Sequence, residues 1–132
     1  MKRTILLCLV LVALVSACGG ATSLTGTTWT VTALSGVSVD PTVPMTGVFG
    51  SDGKLTGTGG CNNYSAAYTA SGKNLTIESP VSSTMACNEA TDQQESEYFY
   101  LLENSSTYEI KGNALTIKDS TGQTILEYTS AS

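Results

Sequence analysis

Histidine is absent from all 132 residues, and that one gap removes several chemistries at once. Serine–histidine–aspartate and cysteine–histidine nucleophiles need an imidazole to carry the proton, and protein zinc sites draw mainly on imidazole nitrogens and sets of thiolates. Neither donor set is available, so the sequence predicts no catalytic residues, no metal site and no cofactor. Basic residues are scarce too, with six Lys and Arg against eleven Asp and Glu. Nucleic-acid binding needs a cationic footprint that displaces counterions from phosphates, so no nucleic-acid partner is expected. Attraction to anionic lipid headgroups is disfavoured for the same reason. The longest apolar run, Ile5 to Val15, has eleven residues. A spanning helix needs about 20.

That short run has a meaning of its own. Lys2 and Arg3 precede it, and Val15-Ser16-Ala17-Cys18 closes it, so small residues stand immediately before a cysteine. The pattern resembles a bacterial lipoprotein signal, which implies cleavage before Cys18 and lipid attachment on Cys18. The expected organisation is a signal at residues 1–17, a lipidated cysteine with a short tether at 18–23, and one domain at 24–129. Such a protein attaches to the membrane through its lipid and resides in the bacterial cell envelope. Gly19 stands in place of the aspartate that resembles an inner-membrane retention signal, so in an organism with two membranes the outer one is expected.

Loss of Lys2 and Arg3 with the signal leaves four basic and eleven acidic residues, a formal charge of −7. The remaining 115 residues suffice for one domain with one core. Of four cysteines, Cys8 departs with the signal and Cys18 carries lipid, which leaves Cys61 and Cys87. Two thiols in an exported domain predict a disulfide. A redox pair is the alternative, although such thiols commonly sit as C-x-x-C beside a helix start.

Strand periodicity dominates the rest. Trp29, Val31 and Ala33 alternate with Thr28, Thr30 and Thr32, which predicts a strand with one buried face and places Trp29 in the core. Residues 36–46 hold Pro41 and Pro44 and read as a loop or a frayed edge. A repeat follows at an offset of forty. Tyr68, Gly72 and Leu75-Thr76-Ile77 recur as Tyr108, Gly112 and Leu115-Thr116-Ile117, with a looser copy at Phe49, Gly53 and Leu55-Thr56. Each copy sets an aromatic on one strand, a glycine at the turn and a Leu-Thr pair on the return, the signature of a β-hairpin. Thr124 to Thr129 is a closing strand, with Leu126 and Tyr128 on one face and Ile125 on the other.

One segment reads as helix. Glu89 to Asn104 contains no Gly or Pro, and Gln94, Tyr98, Leu101 and Leu102 fall on one stripe, with Phe99 at its margin. Its start is signalled either by a Thr91–Gln94 capping box or by Asn88 as the cap. Glu89, Asp92, Glu95, Glu97 and Glu103 read as an acidic, solvated face. The predicted fold is mainly β (α+β): a small antiparallel β-barrel or β-roll of about eight strands with one covering helix.

The block Gly59-Gly60-Cys61-Asn62-Asn63-Tyr64, with Tyr68 beyond it, and the block Thr84-Met85-Ala86-Cys87 resemble the META or HslJ-like domain family. The opening Leu24-x-Gly26-Thr27-x-Trp29, the Gln93-Gln94-Glu95 helix and the final Leu115-Thr116 hairpin extend the resemblance in order over residues 24–129. It implies a small exported β-barrel domain linked in general terms with bacterial stress and antibiotic tolerance, with no defined molecular activity. Asn62, Asn63 and Tyr64 are either a polar recognition patch beside the disulfide or a turn leading Tyr64 into the core. Carboxylates gather on the helix and on turns such as those at Asp52 and Asp119, away from any recognisable cleft, so an enzyme is not expected. The leading expectation is a structural or protein-interaction module with an envelope protein as partner. A carrier of a small apolar ligand would need a cavity lined by Trp29, Tyr64, Tyr68, Leu75, Tyr108 and Leu115. An inhibitor of exported proteases would need a protruding loop, for which residues 37–44 are the candidate.

Overall fold

The computed structural model describes residues 21–131. Cys18, the signal at 1–17 and the first part of the tether lie outside the described residues. Ten strands and one helix follow in chain order: β1 Thr28–Leu34, β2 Val37–Ser38, β3 Thr46–Phe49, β4 Lys54–Thr58, β5 Asn63–Ser71, β6 Asn74–Ile77, β7 Val81–Ser82, α1 Glu89–Glu103, β8 Thr107–Lys111, β9 Ala114–Lys118 and β10 Thr124–Ser130. Neighbours pair antiparallel in the order β10-β9-β8-β6-β5-β4-β3-β1, and β1 pairs back onto β10 to close a ring of eight strands. The other two strands, each two residues long, flank the ring, β2 on β1 and β7 on β5. The mainly β barrel with one helix is therefore the observed architecture.

The forty-residue repeat is a repeat of pairings. Tyr68 faces Ile77 and Ala70 faces Leu75 across one hairpin, while Tyr108 faces Ile117 and Ile110 faces Leu115 across the other. Gly72 and Gly112 both take φ +59°, the left-handed turn conformation that carries no side-chain penalty at glycine. Between these hairpins the ring is thinnest. β6 and β8 share one paired position, Asn74 with Thr107, supported by Leu75 N–H to Ser106 O at 2.9 Å and Tyr108 N–H to Lys73 O at 2.9 Å. The charged pair Glu109 and Lys111, 3.6 Å apart, follows on β8, a charge placement that discourages a foreign strand from adding there.

Two irregularities place extra side chains inside. Pairing slips between Val31 and Ala33 on β1, and between Thr124 and Leu126 on β10. Each bulge breaks the in-out alternation. Ala33 and Leu34 are consequently both buried, and so are Ile125 and Leu126, although alternation alone puts Ile125 on the opposite face.

One apolar cluster fills the ring. Trp29, Phe49, Leu55, Leu75, Leu115, Ile117 and Leu126 have no exposed surface, and Tyr98 and Leu102 of α1 join them with none. Burying each such side chain contributes roughly 1.5–3 kcal/mol. Trp29 also donates its indole N–H to Leu24 O at 3.1 Å, so its polar atom is satisfied inside. Tyr68 and Tyr108 pack on the cluster's margin, half-buried. Core and ring both close within residues 24–130, so residues 21–131 constitute a self-contained folding unit. Among the described residues no helix is long and apolar enough to cross a membrane.

Candidate functional site

Two neighbouring surfaces gather the residues singled out in the sequence. The first is the corner where residues 59–62 meet α1. Asn88 caps the helix, its side chain accepting from Thr91 N–H at 3.0 Å, so of the two start signals it is Asn88 that operates. Cys61 and Cys87 form a disulfide that binds the residue before this cap to the turn preceding β5.

Glu95 corrects the reading of the helix as uniformly acidic on its solvent side. It is 6% exposed and points inward. Its Oε2 accepts the N–H groups of Cys61 at 3.1 Å and Asn62 at 2.6 Å, and its Oε1 accepts the Asn62 side-chain amide at 2.6 Å. Asn62 extends the knot. Its Oδ1 accepts from Ser83 Oγ at 3.0 Å and Met85 N–H at 2.8 Å, while Nδ2 also donates to Met85 O at 3.1 Å. A buried carboxylate is tolerable only when paired and hydrogen-bonded, and here three N–H donors supply that. Thr91, Glu95, Tyr98 and Leu102 follow at four, three and four residues along one buried stripe, but that spacing names no donor for a carboxylate.

The two glycines of the block have separate jobs. A Cβ on Gly59 would stand 2.7 Å from Glu95 Cγ and 2.8 Å from Phe99 Cζ, so only glycine lets the helix approach. Gly60 takes φ +108°, turning the chain into the disulfide. Asn62 and Tyr64 are both 4% exposed, whereas Asn63 is exposed. The three consecutive residues therefore present no joint surface, since strand alternation sends Asn63 outward and its neighbours inward.

Tyr64 opens a chain of buried phenols. Its hydroxyl donates to Thr46 O at 3.0 Å and lies 2.7 Å from the Tyr98 hydroxyl, which accepts from Tyr128 at 3.3 Å. Burial pushes all three phenols above their ordinary value. They stay neutral at physiological pH and serve as hydrogen-bonding struts. The nearest approach to a metal-donor group among the described residues is Cys61, Cys87 and Asp92, whose ligand atoms lie within 4.8 Å of one another. Both sulfurs are engaged in the disulfide, and Asp92 Oδ1 accepts Cys87 N–H at 3.0 Å.

The second surface is built by residues 36–45. Val37 and Ser38 pair with Leu34 and Ala33, and Val39 N–H continues the pairing to Thr32 O at 3.1 Å. Residues 37–39 thus fold back along β1. Asp40 then nucleates a turn, its Oδ1 accepting Thr42 N–H at 2.9 Å and Thr42 Oγ1 at 2.6 Å. The Thr42 hydroxyl, and then its N–H, hold this carboxyl below its ordinary value. Between the turn and β1 lies a groove of about 410 Å³ lined by Val39, Asp40, Pro41, Val43 and Pro44. Val39 and Ser38 also wall a second depression of about 230 Å³ shared with Ala90, Gln93 and Gln94 of α1. Val37, which also lines this second depression, is 71% exposed.

Known proteins place these features in a family. A solution structure determined by NMR is 22% identical, superposes with a TM-score of 0.61, and is matched over 78% of this chain and 87% of that one. A second NMR structure, of a protein from Burkholderia xenovorans, is 21% identical with a TM-score of 0.67 over 83% of this chain and 84% of that one. The crystal structure of a DUF4847 family protein from Bacteroides vulgatus is 17% identical, with a TM-score of 0.52 over 64% of this chain and 57% of that one. These likenesses establish the fold. No curated protein matches the chain. The family model for the META domain matches residues 22–132, so the chain belongs to the META domain family.

Proposed function

We propose that this META domain is a non-catalytic interaction module, held at the bacterial envelope by lipid on Cys18 and working there in stress or antibiotic tolerance by binding a partner protein. The observation that carries the reading is the contrast between a filled interior and an apolar exterior at residues 36–45. Trp29, Leu75 and Leu115 occupy the barrel with no exposure, which leaves a carrier little room where its ligand would sit. Val37, by contrast, is a large apolar side chain 71% exposed that lines the smaller depression. Pro41 and Pro44 are exposed in the same short segment, and exposed apolar side chains grouped in this way mark interaction sites. A protease inhibitor fits less well, because residues 37–39 lie along β1.

The test is crosslinking in living cells followed by identification of what is attached. Recovery of one defined envelope protein, lost when Val37 is changed to Asp, is the expected result. Co-purification of a small apolar molecule with no protein would overturn the reading in favour of a carrier. Mass spectrometry of the native N-terminus checks the anchor, with a lipidated Cys18 expected and an unmodified Met1 contradicting it.

A further inference from the structure

The groove at residues 36–45 combines an apolar lining with a single charge. Val31, Val39, Pro41, Val43 and Pro44 supply the apolar part of the lining, Thr30, Thr32 and Ser38 line the rest beside Asp40, and none of the four lysines among the described residues contributes to it. Asp40 is the charged group at its rim. Both hydrogen bonds from Thr42 go to Asp40 Oδ1, and Oδ2 accepts none among the described residues. One oxygen holds the turn and the other faces solvent. With Thr42 keeping the carboxyl acidic, the group is ionised at neutral pH.

The walls are set before any ligand arrives. Val31 N–H bonds Met45 O at 2.9 Å, Val39 N–H bonds Thr32 O at 3.1 Å, and Val43 N–H bonds Asp40 O at 3.1 Å, fixing the segment at both ends and in the middle. Two prolines remove further freedom. Preformed walls lower the ordering cost of binding. The volume of about 410 Å³ falls in the range of small-molecule sites, roughly 300–1,000 Å³.

We propose that this groove binds a small amphipathic amine, its apolar body against Val39, Pro41, Val43 and Pro44 and its ammonium on Asp40. A carboxylate of the same shape would meet Asp40 and an acidic domain surface, and an alcohol would gain no ion pair. This binding site lies on the surface proposed for the partner protein, and it is tested apart from that reading on the isolated domain with no partner present.

The test uses residues 21–131, which contain the whole core, titrated with hexylammonium, hexanol and hexanoate and followed by amide NMR. Saturable shifts are expected at residues 37–44, with Kd in the range of about 1–10 mM for the amine. Because Asp40 is exposed, the amine should bind only about two- to fivefold tighter than the alcohol, the worth of a solvent-screened pair, with hexanoate weakest. Asp40→Asn keeps the Oδ1 acceptor for Thr42 and removes the charge, so it should abolish the preference and leave hexanol binding within about twofold. Val43→Thr, nearly isosteric but polar, should weaken all three probes. Absence of saturable shifts at residues 37–44, equal affinity for amine and carboxylate, or an undiminished preference in Asp40→Asn would overturn the proposal.

Discussion

The corner at residues 59–62 and the segment at residues 36–45 are spatial neighbours, with Val43 reaching to 3.0 Å of where a Gly60 Cβ would stand, yet they treat polarity in opposite ways. In the corner a carboxylate, a side-chain amide and a disulfide are drawn together, and every hydrogen-bonding partner comes from the chain itself. In the neighbouring segment the carboxylate keeps one oxygen toward solvent and apolar side chains remain uncovered. The more eye-catching polar block is the brace, and the plainer loop keeps the open surface on which the proposed binding rests. Buried polar networks that are fully satisfied rigidify a fold. Uncovered apolar surface invites a partner.

The comparison breaks first where the brace meets the core. Tyr64, Tyr98 and Tyr128 titrate above the ordinary phenol value when folded, so their contribution is complete below about pH 10 and is lost as pH rises beyond it. With three phenols still protonated in the folded state and ionised in the unfolded one, stability should fall by up to about 4 kcal/mol per pH unit above pH 10, read by urea unfolding. A flat profile there would contradict the buried phenol chain. Glu95→Ala leaves three buried donors without an acceptor and should cost about 3–5 kcal/mol. Glu97→Ala, on the exposed side of the same helix, should cost under about 0.5 kcal/mol, and similar losses at both positions would erase the distinction.

Replacing Cys61 and Cys87 together by Ala removes a cross-link spanning 26 positions and should lower stability by about 3.5 kcal/mol on the chain-entropy view, measured by the same unfolding curves. Gly59→Ala inserts a methyl against Glu95 and Phe99 and should cost about 1–3 kcal/mol, visible as a lower thermal midpoint. Val37→Asp lies at the other extreme. It should change stability by less than about 0.5 kcal/mol while removing partner capture, so an unfolded variant would refute the separation of brace from binding face.

Much of the barrel was legible because hairpins write themselves locally. Tyr68 with Leu75 and Ile77, and Tyr108 with Leu115 and Ile117, carry period and turn in ten consecutive residues, and the structure pairs them in that register. The bulges at Val31/Ala33 and Thr124/Leu126 were not legible, since alternation treats each strand as regular and the slip is decided across the β1–β10 pair. Nor were β2 and β7, because two residues set no period and their pairing depends on a longer neighbour. Glu95 was hidden for a chemical reason. A carboxylate among four other acids reads as solvated until the donors of residues 61 and 62, more than thirty positions away, are seen to meet it.

Val37 and Val81 offer the most direct measurement, for they are equally open at 71% and 73% exposure and differ in surroundings. A photoreactive side chain placed at each in living cells controls for accessibility. Capture of the same defined envelope protein from position 37 and not from position 81 is the result predicted for a binding face at residues 36–45. Capture from position 81 alone, or equally from both, would contradict it.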